Sequence, residues 1–337
     1  MIETPTGHHF THIYVEEAAA PFPDTDRILR LLPQATVVPI SDARALFNRR
    51  NQHFQAQKSN PKLILSVDHG PYLYRGSERV QSFGDHQVYY VAPIRNCVYN
   101  CEYCFLQGMH ASGDLLVTVN NQDMMQAASS LYRDRGGYFL SISYLTDLMA
   151  FESLLPFCRR WIEFAREHPE LLLEIRTKSD NVQALRDLAP VANVVLVWSL
   201  SPESVSRKHE RGAASFRNRL LAARTAQQAG WRLRLCFDPV LRVPGWKDLY
   251  HDCISETFRR LNGEAVEQVS FGVFRLHGDF LDRMRKLYSQ SPLLHADWQR
   301  RDHLTTYREE EIEEVRHAVQ TSLYRHLDPS KITFVHG

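Results

Sequence analysis

Between residues 86 and 290 the chain alternates six times between a short β-rich apolar run and a helix-length amphipathic segment, and nothing else in it constrains the fold so strongly. The apolar runs fall at 86–92, 138–144, 171–177, 193–199, 232–238 and 268–274. Amphipathic segments follow them at 122–133, 151–167, 182–188, 216–228, 247–261 and 280–287. Strand and helix in regular turn predict parallel strands joined by right-handed crossovers, an α/β fold. Six units are too few for a closed eight-stranded barrel but enough for an open, partial (β/α)6 barrel. In such folds chemistry gathers at the C-terminal ends of the strands.

The flanks read differently. Residues 1–85 suggest a small N-terminal α/β domain and linker, with extended runs at 12–15, 36–40 and 63–67. Asp24 is expected to open one helix, with Ile28, Leu29 and Leu32 on one face, and Ser41 to cap a second through Phe47. Residues 68–85, rich in Gly, Pro, Tyr and charge, read as a connection to the barrel at 86–290. A C-terminal extension, 291–337, carries a charged helix at 308–323 and a last extended run at 332–335.

Composition adds exclusions. The 337 residues have no uninterrupted apolar run of about twenty, and mean hydropathy is −0.36, so no transmembrane helix is expected. The first twelve residues lack a signal-peptide pattern, which leads to the expectation of a soluble, cytoplasmic protein with no membrane partner. Forty Lys and Arg against 39 Asp and Glu give a net charge of +1, so any polyanion must be held by local patches. His8, His9 and His12 read as solvated tail residues.

Of six cysteines, Cys158, Cys236 and Cys253 are dispersed and read as small core residues, whereas Cys97, Cys101 and Cys104 crowd into eight positions. They follow the first barrel strand in the run Asn96-Cys97-Val98-Tyr99-Asn100-Cys101-Glu102-Tyr103-Cys104-Phe105. Three thiolates so spaced can ligate three irons of a cubane cluster and leave the fourth iron open. A structural zinc site is the plainer alternative, but zinc wants four protein ligands and His110 is the nearest further candidate.

With aromatic Tyr103 before the last cysteine, this loop is similar to the signature of radical S-adenosylmethionine enzymes. Later landmarks resemble the spore photoproduct lyase family over nearly the whole chain: Leu106-Gln107 after the loop, Thr146-Asp147, Thr177-Lys178, Trp198-Ser199-Leu200, Asp238-Pro239-Val240 and Gly245-Trp246. The resemblance implies a [4Fe-4S] cluster on Cys97, Cys101 and Cys104 in a partial (β/α)6 barrel. It further implies S-adenosylmethionine on the open iron, contacted by Tyr103, Thr146, Lys178, Ser199 and Asp238. Hydrogen abstraction by a 5′-deoxyadenosyl radical would follow, with an electron donor such as flavodoxin or ferredoxin.

Each position also has a plainer reading. Lys178 can offer its ammonium to a carboxylate or lie on the surface. Thr146 and Ser199 can bond a cofactor or merely local backbone. Asp147 suits a helix cap better than a ligand. Asp238 suits a cofactor contact and a turn before proline about equally.

The sequence departs from the family at the hydrogen donor. Where the family has a cysteine two residues before the Thr146 position, this chain has Tyr144, whose phenol can surrender a hydrogen atom; Cys236 on the fifth strand is the other candidate. Phe105 stands where the family often has tyrosine. Basic stretches at Arg207, Lys208, His209, Arg211, Arg217 and Arg219, and at Arg283, Arg285, Lys286, Arg300 and Arg301 near Trp298, suit DNA or another nucleic acid. The expected function is a radical enzyme acting on damaged or modified nucleic acid, as in thymine-dimer repair. The alternatives are a radical enzyme acting on a small molecule or peptide, and a non-catalytic cluster-binding protein.

Overall fold

The structure, a computed structural model, describes residues 10–76 and 87–335. His8, His9 and residue 86 lie outside the described residues. The chain divides into two compact units, 1–98 with 110–195, and 99–109 with 196–337.

The first unit holds a five-stranded sheet in the order Thr36–Ile40, His12–Glu16, Leu63–Ser66, Leu115–Thr118, Ile94–Arg95. The first four strands are parallel and the last is antiparallel. His12 is therefore no tail residue: it opens a strand, in register with Thr36. Leu63–Ser66 is central and buried throughout, as a parallel strand covered on both faces must be. Leu115–Thr118 has no signal in the sequence, because three apolar residues and a threonine carry no period. Two helix starts differ from expectation. Pro23 fills the first turn of Pro23–Leu31, and Asp24 is buried in a bidentate pair with Arg160 at 2.6 Å. Asp42, not Ser41, caps Ala43–Phe47, because it sits where its carboxylate accepts from the Ala45 N–H at 2.8 Å.

This unit also carries three of the expected barrel strands, Val88–Tyr90, Phe139–Ser141 and Leu172–Thr177, parallel and in chain order. Tyr74–Arg75 flanks them antiparallel. Their crossovers are the helices Asn121–Arg135 and Phe157–Arg166; Pro156 delays the second. The segment expected to be a helix at 182–188 forms only a 3₁₀ turn, Asn181–Leu185. The run 138–144 gives a strand ending at Ser141, because beyond it the Ser143 hydroxyl, not a carbonyl, accepts from the Arg176 N–H at 2.7 Å. Tyr144 therefore lies past the strand.

In the second unit the strand order is Val194–Ser199 (entered at Leu196), Arg232–Val240, Val266–Val273, Ile332–Val335. The last three pair in parallel, so the final run of the chain is a further sheet strand. Helices Phe216–Gln228, capped by Ser215, and Trp246–Arg260, entered through left-handed Gly245 (φ 71°), follow as expected. Glu203–His209 and an antiparallel sheet of Arg275–His277, Leu304–Thr306 and Gln299–Arg301 lie outside the strand and helix alternation of the sequence.

Candidate active site

None of the six cysteines is in a disulfide. Cys158, Cys236 and Cys253 are buried in helix or strand, as core residues should be, while Cys97 and Cys104 are partly exposed and Cys101 is buried.

Cys97 belongs to the first unit, where its main chain is gripped from both sides. Its N–H donates to Asn96 Oδ1 at 2.8 Å, and its carbonyl accepts from Lys58 Nζ at 2.6 Å. Asn96 is fully buried and takes φ 71°, a left-handed conformation that asparagine tolerates. Its Nδ2 donates to the Ser112 and Asp114 carbonyls at 2.8 and 3.0 Å.

Cys101 and Cys104 belong to the second unit. Asn100–Cys101 pairs antiparallel with Glu210–Arg211, and the Glu102 N–H donates to the His209 carbonyl at 2.8 Å. The Tyr103 hydroxyl donates to Glu210, as does that of Ser201 at 3.0 Å. Glu210 is also ion-paired with Arg219 at 2.5 Å; both side chains are fully buried. Arg219 spans further, to the Ser199 carbonyl at 3.1 Å and Ser206 Oγ at 2.9 Å. Burial and the Glu210 carboxylate push the Tyr103 phenol well above the ordinary tyrosine range, so it stays neutral. Its hydroxyl hydrogen is thus committed to Glu210. Beyond Cys104, Gln107 bonds Asn100 and Tyr288, and a Cβ at Gly108 would stand 2.6 Å from the Phe280 backbone, so only glycine fits.

Asp147 caps the turn Leu148–Phe151 through the Ala150 N–H at 3.3 Å, as its sequence position suggests. It also accepts from Thr177 Oγ1 at 2.8 Å and the Lys178 N–H at 2.6 Å, which fixes the strand end that carries Lys178. Burial raises its carboxyl above the usual range against the pull of these donors. The adjacent Thr146 Oγ1 is buried with no hydrogen-bond partner among the described residues, an unusual and costly state. Ser199 ends its strand buried, its carbonyl on Arg219. Asp238 is gripped by Arg275 through two contacts of 2.7 Å, a partner 37 residues away that spacing could not reveal. Tyr144 packs on Tyr90, ring centroids 4.6 Å apart.

The basic stretches need correction. Arg219 and His209 are buried, the first on Glu210 and the second on Glu102 at 2.7 Å, which leaves Arg207, Lys208, Arg211 and Arg217 exposed. In the other stretch Arg300 pairs with Asp279 and Asp282, and Arg301 with Glu309. Trp298 stacks on Phe274 at 4.1 Å and bonds the Leu293 carbonyl, so its ring is committed internally. Among the described residues no three Cys, His, Asp or Glu side chains form a group that could hold a metal ion, and no helix is long and apolar enough to cross a membrane. Thiols outside any disulfide at Cys-x3-Cys-x2-Cys spacing, unlike the buried cysteines elsewhere, suit the one-thiolate-per-iron ligation of a cubane.

The architecture matches solved structures end to end. A spore photoproduct lyase double mutant with bound AdoMet and dinucleoside spore photoproduct gives a TM-score of 0.83 at 20% identity, covering 98% of this chain and 99% of that one. Spore photoproduct lyase complexed with dinucleoside spore photoproduct gives 0.81 at 21% identity, covering 97% and 98%. The class is thus an α/β protein with parallel sheets and the fold of these lyases. The family model of spore photoproduct lyase matches residues 85–336, and the chain belongs to that family, as the cysteine loop and landmark order indicate. Spore photoproduct lyase from Geobacillus sp. (strain Y412MC61) is 27% identical over 186 residues. That alignment takes in 54% of each protein, so the chain spans about half the length of the curated relative it matches.

Proposed function

We propose that the chain is a radical S-adenosylmethionine enzyme of lyase type that acts on photodamaged DNA. The observation that carries this reading is the set of three thiols outside any disulfide, at Cys97, Cys101 and Cys104, in a member of this family. Relatives of the same fold bind AdoMet and a dinucleoside spore photoproduct, which supports both the cofactor and the substrate class.

A bound [4Fe-4S] cluster with S-adenosylmethionine supplies the 5′-deoxyadenosyl radical that takes a hydrogen atom from the substrate. The residues of this chain hold and orient. Cys97, Cys101 and Cys104 each offer one thiolate to one iron. Lys178, on a strand end fixed by Asp147, offers an ammonium to the methionyl carboxylate. The unpartnered Thr146 hydroxyl is available to a cofactor oxygen or amine, with Ser199 and Asp238 as further contacts and Tyr103 contributing its ring and main chain. Tyr144 takes the place of the family's donor cysteine and returns a hydrogen atom from its phenol. Exposed Arg207, Lys208, Arg211 and Arg217 meet phosphates. A low-potential carrier of the flavodoxin or ferredoxin kind supplies electrons in the cytoplasm.

One observation favours a different substrate, a small molecule or peptide: the donor position itself is changed to Tyr144. Anaerobic reconstitution decides between these. The expected result is a brown protein that cleaves S-adenosylmethionine when reduced and repairs spore-photoproduct DNA in deuterated water with deuterium in the product; Tyr144→Phe should consume cofactor without normal product. Cofactor cleavage with no DNA repair points to the other substrate classes. Stoichiometric zinc without cleavage sinks the enzyme reading.

A further inference from the structure

Between Asp42 and Asp68 the chain runs 25 positions with no acidic residue, but with five lysines and arginines and one histidine. In a protein of net charge +1 that is a local excess. Two of the five cations are committed: Arg44 pairs with Asp68, and Lys58 is buried on Asn96 Oδ1 and the Cys97 carbonyl. Arg49, Arg50 and His53 are exposed and Lys62 is half-buried, and among the described residues none of these four has an ion-pair partner. Arg49, His53 and Lys62 line a cavity of about 480 Å³ together with Asn51, Gln52 and Asn60. Side-chain amides build its frame: Gln52 Nε2 donates to the Phe47 and Arg49 carbonyls at 3.1 and 2.8 Å, and Gln57 donates to Gln52 at 2.8 Å. Behind it Asp114 is buried, accepting from the Gln57 amide at 2.9 Å and the Lys62 N–H at 3.0 Å, so the face turned to solvent is positive. Gln57, which also lines the cavity, adjoins Lys58 in the short helix Phe54–Ser59, and the Lys58 ammonium holds the Cys97 carbonyl at 2.6 Å. A helix with its side chains is about 10–12 Å across, so roughly one helix diameter of packed protein separates this face from the first loop cysteine.

We propose that this cationic face is where an acidic one-electron carrier protein docks to reduce the cluster. Opposite charge steers such a carrier to the face, and the helix behind it leads to Cys97. DNA would meet the same charge, but nearness to a cluster ligand serves the delivery of an electron, not the recognition of a base. The step is electron transfer alone: the carrier is oxidised by one electron, the cluster is reduced by one, and no bond or proton is exchanged. The inference rests on the cluster reading above and deepens it by naming where the electron enters.

The test uses the reconstituted full chain and a photoreduced flavodoxin, with cluster reduction followed by stopped-flow absorbance. Arg49→Glu combined with Lys62→Glu should slow reduction by flavodoxin about tenfold at low ionic strength, and the gap should close in high salt. Photoreduced 5-deazariboflavin, an uncharged donor, should reduce wild type and variant at one rate; a matching loss with this donor overturns the docking site. If the double Glu variant does not fold, as judged by the melt of the cluster-free protein, Arg49→Gln with Lys62→Gln is read in the same direction. Equal flavodoxin rates in fully loaded wild type and variant overturn this inference alone, and weaker binding of a photodamaged duplex by that variant then gives the face to DNA. A wild type that takes up no cluster overturns the cluster reading, and this inference with it.

Discussion

Cys97 and the pair Cys101 and Cys104 are near neighbours in sequence, yet each is held by a different chemistry. At Cys97 a buried lysine donates to the Asn96 amide oxygen and to the cysteine's own carbonyl. Around Cys101 and Cys104 a short β-pairing is backed by Glu210, which takes the Tyr103 and Ser201 hydroxyls and the Arg219 guanidinium at once. In the second arrangement opposite charges cancel, so removing one partner strands the other. In the first, one lysine and one asparagine side chain meet on the main chain of a single residue. The same loop thus has one support built on a lysine and an asparagine and one built on a buried carboxylate–guanidinium pair.

The largest expected effect tests whether both ends serve one site. Cys97→Ala, Cys101→Ala and Cys104→Ala should each abolish cluster uptake, measured as iron and sulfide content, while the cluster-free melt changes little. Full uptake in all three variants dismisses the site.

Stability separates the two supports. Glu210→Ala leaves Arg219 as an uncompensated buried charge and should cost about 3–5 kcal/mol in denaturant unfolding. Lys58→Met, which has no donor, should cost less, within the roughly 1–3 kcal/mol of an unsatisfied buried acceptor. Equal losses break the comparison.

Cofactor binding asks whether the first unit contributes beyond Cys97. Lys178→Ala should weaken S-adenosylmethionine binding to reconstituted protein by roughly tenfold to a hundredfold, since a hydrogen bond to a charged group is worth about 1.5–3 kcal/mol. Unchanged affinity by calorimetry removes Lys178 from the site.

The last prediction is read as a slope with pH and concerns a buried carboxyl in the first unit. Burial pushes Glu152 up from 4.5 to about 7, against the pull of the Arg159 and Cys158 N–H groups. Because the folded value lies above the unfolded one, its contribution to stability is complete below 4.5 and is lost as pH rises through about 7. Glu152→Gln should flatten that slope in unfolding measurements made across this window. An unchanged slope assigns the pH dependence elsewhere.

Much of the fold and part of the site are legible in the residues alone. Each of the six apolar runs contains or overlaps a strand of three or more residues, because burial on a sheet selects β-branched and aromatic side chains locally. The helix 216–228 matches to the residue, because Ser215 supplies the capping oxygen at its start. Asp147 is readable as a cap for the same local reason. Lys58, by contrast, carries no signal, and Arg219 reads as one more surface cation, since nothing in the neighbourhood of either announces burial. Arg275, the partner of Asp238, is hidden in the same way.

What the sequence determined by itself were properties set within a few residues or by period: strand and helix alternation, caps, and three thiols at cluster spacing. Tertiary structure alone decided which charges are buried and what compensates them. Tyr103 meets Glu210 across 107 residues, and Lys58 meets Asn96 across 38. A charged side chain is tolerable in the interior only where a partner arrives from elsewhere in the chain, and periodicity records which face a residue takes but not what the fold brings against it.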